Sequence, residues 1–99
     1  MTIQVRQTEY GFAVSGELDL ASADDLRMFI ASMADASHEV VLEIADLAFM
    51  DSSGVKAIVR LAETACPQGI VLKWHRGNVL RALEIMGIER IAGIRIERR

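Results

Sequence analysis

The run His38–Ala45, with the sequence HEVVLEIA, is the segment that most limits what this chain can fold into. It is rich in β-branched and other apolar residues and is bounded by polar turns, which is typical of a mostly buried central strand. A helical pattern of apolar residues spaced three and four apart follows it, formed by Val55, Ile58, Val59 and Ala62. A buried strand followed by an amphipathic helix predicts an α/β fold with parallel strand pairing.

The N-terminal third predicts two strands and a helix. Two short strands, Ile3–Val5 and Phe12–Val14, alternate apolar and polar residues on either side of a tight turn, which is typical of a β-hairpin. Ser22 and Asp25 have the spacing of an acidic capping box, so a helix is predicted from about Ser22 to Asp35. The apolar positions of that helix are Leu26, Phe29, Ile30 and Met33.

The C-terminal third continues the alternation. Gly69–Trp74 is predicted as a strand, Asn78 can cap a third helix, and Gly87 suits the C-terminal end of that helix. The residues of this helix predicted to face inward are Val79, Leu80, Leu83 and Met86. A last strand alternates through Ile94–Glu97.

The predicted element order is therefore ββαβαβαβ. Strand–helix–strand units need parallel pairing with right-handed crossovers, whereas the opening hairpin is antiparallel, so the sheet is mixed. A chain of 99 residues has room for one compact domain. We therefore predict that residues 1–99 form a single small α/β domain, with about four to five strands covered by about three helices.

The charge balance excludes several kinds of partner. The chain has 11 basic and 14 acidic residues, and a net charge of −3 favours neither nucleic acid nor a membrane surface. No apolar stretch approaches the roughly 20 residues that span a bilayer, and the first residues do not resemble a secretory signal. We expect a cytoplasmic protein with a protein partner, no direct nucleic-acid contact and no membrane insertion.

Metal and cofactor chemistry find little support in the sequence. His38 and His75 have no metal-ligand spacing, no glycine-rich phosphate loop is present, and the lone Cys66 is predicted to be a buried thiol. A cluster of acids lies around the first helix, formed by Glu17, Asp19, Asp24 and Asp25. These acids have no nucleophile or basic partner nearby in sequence, so we expect no enzyme, no metal and no cofactor.

The stretch FMDSSGV, residues 49–55, is the most distinctive motif. We predict that the preceding strand ends near Ala45, so that a loop carries Asp51–Gly54 at the carboxyl edge of the sheet, where open α/β folds place functional loops. Serine and aspartate are common N-cap residues, and capping alone is one interpretation. Two consecutive hydroxyls exceed what one cap requires, so Ser53 can cap while Ser52 stays accessible for modification.

The neighbours of the two serines leave alternatives open. The apolar pair Phe49 and Met50 offers a contact surface beside a modifiable site. Gly54 either lets a partner's backbone approach closely or eases the turn. The acids Glu17 and Asp19 either favour the N-terminus of the first helix or contact a partner.

Two segments of the chain resemble the STAS domain of bacterial anti-sigma factor antagonists, and the resemblance covers nearly the whole chain. The segments are FMDSSGV with its amphipathic helix, and SGELDLASADDLR about thirty residues earlier. The resemblance implies that Ser52, or alternatively Ser53, accepts phosphate from a serine kinase that is itself the anti-sigma factor. The unphosphorylated form would bind that kinase and release the sigma factor, and a PP2C-like phosphatase would restore it. The partner-binding residues so implied are Glu17, Asp19, Phe49, Met50, Asp51, Ser53 and Gly54.

Two other function classes remain open. A STAS subunit bound to the ATPase of an ABC-type lipid transporter is one, because members of that kind are also short. The retained DSSG pattern behind Phe49-Met50 argues against it. A nucleotide-binding regulatory module is the other, although the sequence supplies no phosphate loop for it.

Overall fold

The computed structural model of the protein describes residues 3–74 and 78–98. The elements are β1 Ile3–Gln7, β2 Gly11–Leu18, α1 Leu20–Met33, β3 Val40–Met50, α2 Ser52–Thr64, β4 Ile70–Trp74, α3 Asn78–Ile85, a 3-10 turn Ile88–Arg90 and β5 Ile94–Arg98. This order confirms the predicted α/β class and the succession ββαβαβαβ. His75 lies outside the described residues.

One mixed sheet joins the five strands in the order β1-β2-β3-β4-β5. β1 pairs antiparallel with β2, and every later neighbour pair is parallel. Because each parallel strand lies directly beside the one before it, right-handed crossovers place α1, α2 and α3 on the same face of the sheet. α1 and α2 also pack against each other on that face.

The core lies between this face of the sheet and the helices. Its largest fully buried side chains include Phe12, Leu18, Leu26, Ile30, Leu42, Ile58, Leu61, Ile70 and Leu72. Other positions on the strands, and Glu39 just before β3, form partly exposed ion pairs instead, such as Arg95 Nη2 to Glu39 Oε1 at 3.0 Å and Lys73 Nζ to Glu97 Oε1 at 3.6 Å. Exposed pairs of this kind contribute little to stability, so burial on the helix face supplies most of it.

The first helix begins earlier than predicted. Asp19, not Ser22, is its N-cap, and the Asp19 carboxylate accepts from the amides of Ala21 at 3.0 Å and Ser22 at 3.1 Å. The amide of Asp19 donates in return to Ser22 Oγ at 3.1 Å, which completes a capping box. The buried hydroxyl of Ser22 also donates to the Glu17 carbonyl at 2.8 Å. The side chain of Ser22 thereby satisfies two polar groups at this turn, the Asp19 amide and the Glu17 carbonyl.

The third strand is longer than predicted, and no loop separates it from the second helix. β3 runs to Met50 rather than ending near Ala45, because β2 pairs with it along its whole length. β2 likewise extends to Leu18, so Glu17 and Leu18 lie in a strand rather than in a loop. Irregular register between Gly16 and Glu17, with Gly16 at φ +96°, keeps both strands paired to their carboxyl ends.

Several apolar helix residues lie at the margin of the core rather than inside it. Phe29 packs edge-to-face on Phe12, with ring centroids 5.9 Å apart, and stays partly exposed, as does Met33. Met86 is also exposed, against the prediction, because α3 ends at Ile85 and the chain turns there. Leu83 is buried as predicted. The side chains of Val79 and Leu80 lie outside the described ones.

Candidate functional site

Both sequence motifs meet at the carboxyl ends of β2 and β3. Glu17 lies opposite Phe49 in the sheet, and Leu18 lies opposite Met50. The amide of Asp51 then donates to the Leu18 carbonyl at 3.2 Å. The segments GELD and FMDSSG therefore form one continuous edge, from which α1 and α2 both begin.

Asp51 is the N-cap of α2. Its Oδ1 accepts from the amide of Ser53 at 2.9 Å and from the amide of Gly54 at 3.3 Å, and its extended backbone resembles that of Asp19. The interpretation that Ser53 caps this helix is therefore wrong. Because a carboxylate satisfies the first-turn amides, neither serine hydroxyl is required for the cap.

The two serines differ in accessibility. Ser52 occupies the first position of α2 and is exposed, whereas Ser53 is half-buried and lines a shallow groove between α1 and α2. A modifying enzyme must surround the hydroxyl that it modifies. Ser52 is therefore the more accessible hydroxyl of the two.

Met50 and Gly54 lie beneath the site rather than on its surface. Met50 is 5% exposed, and Gly54 is buried against it. A Cβ atom at Gly54 would lie 2.7 Å from Leu18 Cγ and 2.9 Å from Met50 Cγ. The space above Gly54 is thus filled by the chain's own core, which corrects both the expected approach of a partner's backbone and the role of Met50 as contact surface.

We expect Gly54→Ala to destabilise the protein. Overpacking a filled site costs about 1 to 3 kcal/mol, and the higher helix propensity of alanine offsets up to about 1 kcal/mol of it. The net loss should be about 1 to 2 kcal/mol in urea unfolding. Ser52→Ala, two residues away and exposed, is the control and should change stability by less than about 0.5 kcal/mol. A Gly54→Ala protein as stable as the parent would contradict this packing.

Asp19 caps the N-terminus of α1, whereas the sequence left its role open between the helix and a partner. Removing its cap through Asp19→Ala should lower the free energy of unfolding by about 1 kcal/mol, as is typical for an N-cap. Asp19→Asn keeps a cap acceptor and removes the charge, so it should lose only a few tenths of a kcal/mol. Thermal unfolding of both variants beside Asp25→Ala, an exposed acid on the same helix, would check this. Equal stability of Asp19→Ala and Asp25→Ala would show that the cap contributes nothing.

Leu20 is a further exposed apolar residue at this edge, which the sequence patterns above do not single out. It is 79% exposed at the first position of α1 and lines the same groove as Ser53 and Lys56. Phe49, at 48% exposed, lies on the adjoining strand end. The sequence does contain a signal for this exposure, because Asp19 and Ser22 have the spacing of a capping box. If Asp19 is the N-cap, Leu20 is the first residue of the helix, where its side chain points away from the core.

Groups of metal-binding side chains and the cysteine both bear on metal and redox chemistry. Within residues 3–74 and 78–98, no three His, Cys, Asp or Glu side chains are grouped so as to hold a metal ion. Cys66 is buried, as predicted, and burial raises the pKa of its thiol, so it stays protonated. In the same two ranges no helix is long and apolar enough to cross a membrane.

Comparisons with known proteins point to one family. A family model described as "Mlab, STAS domain" matches residues 1–95. An anti-sigma factor antagonist from Mycobacterium paratuberculosis superposes with a TM-score of 0.76 at 22% identity, over 95% of this chain and 84% of that chain. The antagonist SpoIIAA in its unphosphorylated form superposes with a TM-score of 0.70 at 21% identity, over 98% and 87%. No curated protein matches significantly. At these identities the two structures show that the fold is shared.

Proposed function

This chain belongs to the STAS domain family, and from that premise we propose that it is an anti-sigma factor antagonist. Its unphosphorylated form binds an anti-sigma factor that is also a serine kinase, and the sigma factor is released. Phosphorylation of Ser52 ends the interaction, and a PP2C-like phosphatase restores it. The protein is a ligand and a substrate of its partners and not a catalyst.

One observation carries this proposal. Ser52 is an exposed hydroxyl at the first turn of α2, and Asp51 meets the capping needs of that turn without it. A phosphate can be attached to such a hydroxyl without breaking a hydrogen bond within the part of the chain that the structure describes. The description of both similar structures as anti-sigma factor antagonists supports the same role.

The proposed contact surface consists of the exposed groups around Ser52. Phe49 supplies apolar area at the end of β3 and Leu20 at the start of α1, and Glu17 supplies an exposed acid opposite Phe49 in the sheet. Asp19 and Asp51 hold the two helix starts in place, and Ser53 borders the groove between the helices. Apolar side chains rimmed by polar groups are typical of interaction surfaces.

We also propose that the protein acts in the cytoplasm, because a sigma factor and its inhibitor work there. It does so without touching nucleic acid itself, in keeping with its net charge of −3.

A second candidate is a STAS subunit that binds the ATPase of an ABC-type lipid transporter. The observation in its favour is the description of the matching family model, which names Mlab rather than an antagonist. In this case Ser52 would lie in a constitutive interface and would not be a switch.

Affinity capture from the native host with three matched baits separates the candidates. The parent protein, Ser52→Ala and Ser52→Asp are each tagged, cross-linked and analysed by mass spectrometry. We expect a kinase-type anti-sigma factor with the first two baits and much less with Ser52→Asp. Recovery of a transporter ATPase by all three baits, without a kinase, would favour the second candidate. Calorimetric titration with ATP and GTP tests the nucleotide-binding alternative, for which we expect no binding.

A further inference from the structure

Lys56 is an exposed cation one helical turn beyond Ser52. Both residues lie on α2, and side chains four positions apart on a helix are neighbours. Lys56 takes part in none of the ion pairs formed within residues 3–74 and 78–98. Its ammonium group is therefore available to a new anion on the same face of the helix.

We propose that Lys56 is the intramolecular counter-ion of the phosphate on Ser52. The inference rests on the proposed function, since it concerns that modification. A phosphoserine carries roughly −1.5 to −2 charges at pH 7, and an anion four residues N-terminal to a lysine is the favourable order on a helix. The positive end of the helix dipole attracts the same phosphate.

Neighbouring charges do not offer the phosphate a better partner. Arg27 already donates to Asp24 at 2.7 Å within α1. Arg60 lies eight residues beyond Ser52, which is about 12 Å along the helix axis. Three acids also face the region: Asp51, whose carboxylate accepts two backbone amides, Asp24, which is paired with Arg27, and Glu63, about two turns beyond Lys56. Lys56 is the cation within one turn.

If Lys56 pairs with the phosphate, phosphorylation changes the surface of α2 in two ways. The phosphate adds an anion at Ser52 and at the same time withdraws Lys56 from any contact with a partner. Because the new charge is paired within the helix, the fold is retained. The switch therefore works by altering what the partner meets, not by melting the first turn of α2.

The test uses the full chain with phosphoserine placed at position 52 during translation, so that no kinase is needed. A phosphorus NMR titration gives the second pKa of the phosphate in the parent, in Lys56→Gln and in Arg60→Gln. A neighbouring cation favours the dianion, so the pKa should be lower in the parent than in Lys56→Gln by roughly 0.2 to 0.4 pH units. Arg60→Gln removes the same charge from the same helix and should shift it by less than half as much. Lys56→Arg should restore the parent value.

Three outcomes would overturn the inference. They are equal phosphate pKa values in the parent and Lys56→Gln, an equal shift from Arg60→Gln, and loss of helical circular dichroism on phosphorylation. None of them depends on a partner. If instead Lys56 couples to the phosphate but no kinase modifies Ser52, the proposed function fails while the pairing stands.

Discussion

Phosphorylation of Ser52 should weaken binding to the anti-sigma kinase by at least about a hundredfold, or about 2.7 kcal/mol. The expected loss arises in the complex, because a partner that packs on Phe49 and Leu20 must remove water from a phosphate of nearly two charges. The measurement is titration calorimetry of the kinase with the unmodified protein and with protein carrying phosphoserine at position 52.

The free protein should hardly respond to the same modification. The N-terminus of α2 attracts the phosphate by roughly 0.3 to 1 kcal/mol, while Asp51 beside it repels by a comparable amount through solvent. Among residues 3–74 and 78–98, none forms a hydrogen bond with the Ser52 hydroxyl that the phosphate would break. Phosphorylation should therefore leave the melting temperature of the free protein nearly unchanged, while the affinity for the kinase falls steeply.

Matched variants sharpen this prediction. Ser52→Ala should bind the kinase like the unmodified protein and stay bound in the presence of ATP, whereas Ser52→Asp should lose part of the affinity because it carries one charge. Ser53→Ala keeps the acceptor and should still be switched off by the kinase. Phosphate found on Ser53 alone, or full modification of Ser52 with unchanged affinity, would refute the assignment.

The order of elements could be predicted from the sequence because it depends on local patterns. Apolar periodicity marks β3 and α2, and glycine at position 87 marks the end of α3; the structure has all three. The boundaries could not be predicted equally well. β3 extends to Met50 because β2 offers it hydrogen-bond partners along its full length, which is a property of the pair and not of either segment.

The location of the candidate site could be predicted from the sequence, but the role of each residue within it could not. Ser, Asp and Gly all suit a helix start, so sequence alone cannot say that Asp51 caps and that Ser52 stays free. The burial of Met50 and Gly54 depends on Leu18, which is distant in sequence and reaches them through parallel pairing. Exposure of Leu20 likewise follows only once Asp19 is recognised as the cap.

The orientation of α2 about its own axis determines both which of its residues are buried in the core and which are exposed at the site. Ile58→Ala tests this orientation, and it has the largest expected loss of stability. Ile58 is 0% exposed in the main cluster, so its truncation should cost about 2 to 5 kcal/mol. Val59 belongs to the same apolar pattern of the helix, but it is only partly buried, and Val59→Ala should cost about 1 kcal/mol.

Urea unfolding of Ile58→Ala, Val59→Ala and the exposed control Ser52→Ala would measure the order of these three losses. Gly54 and Ile58 are one turn apart and both point inward, so the rotation that buries Ile58 also directs Ser52 to the surface. Equal losses for Ile58→Ala and Val59→Ala would mean that α2 is turned about its axis. A turned helix would place Ser52 elsewhere, and the same measurement of core packing therefore decides whether the proposed phosphate acceptor can be reached.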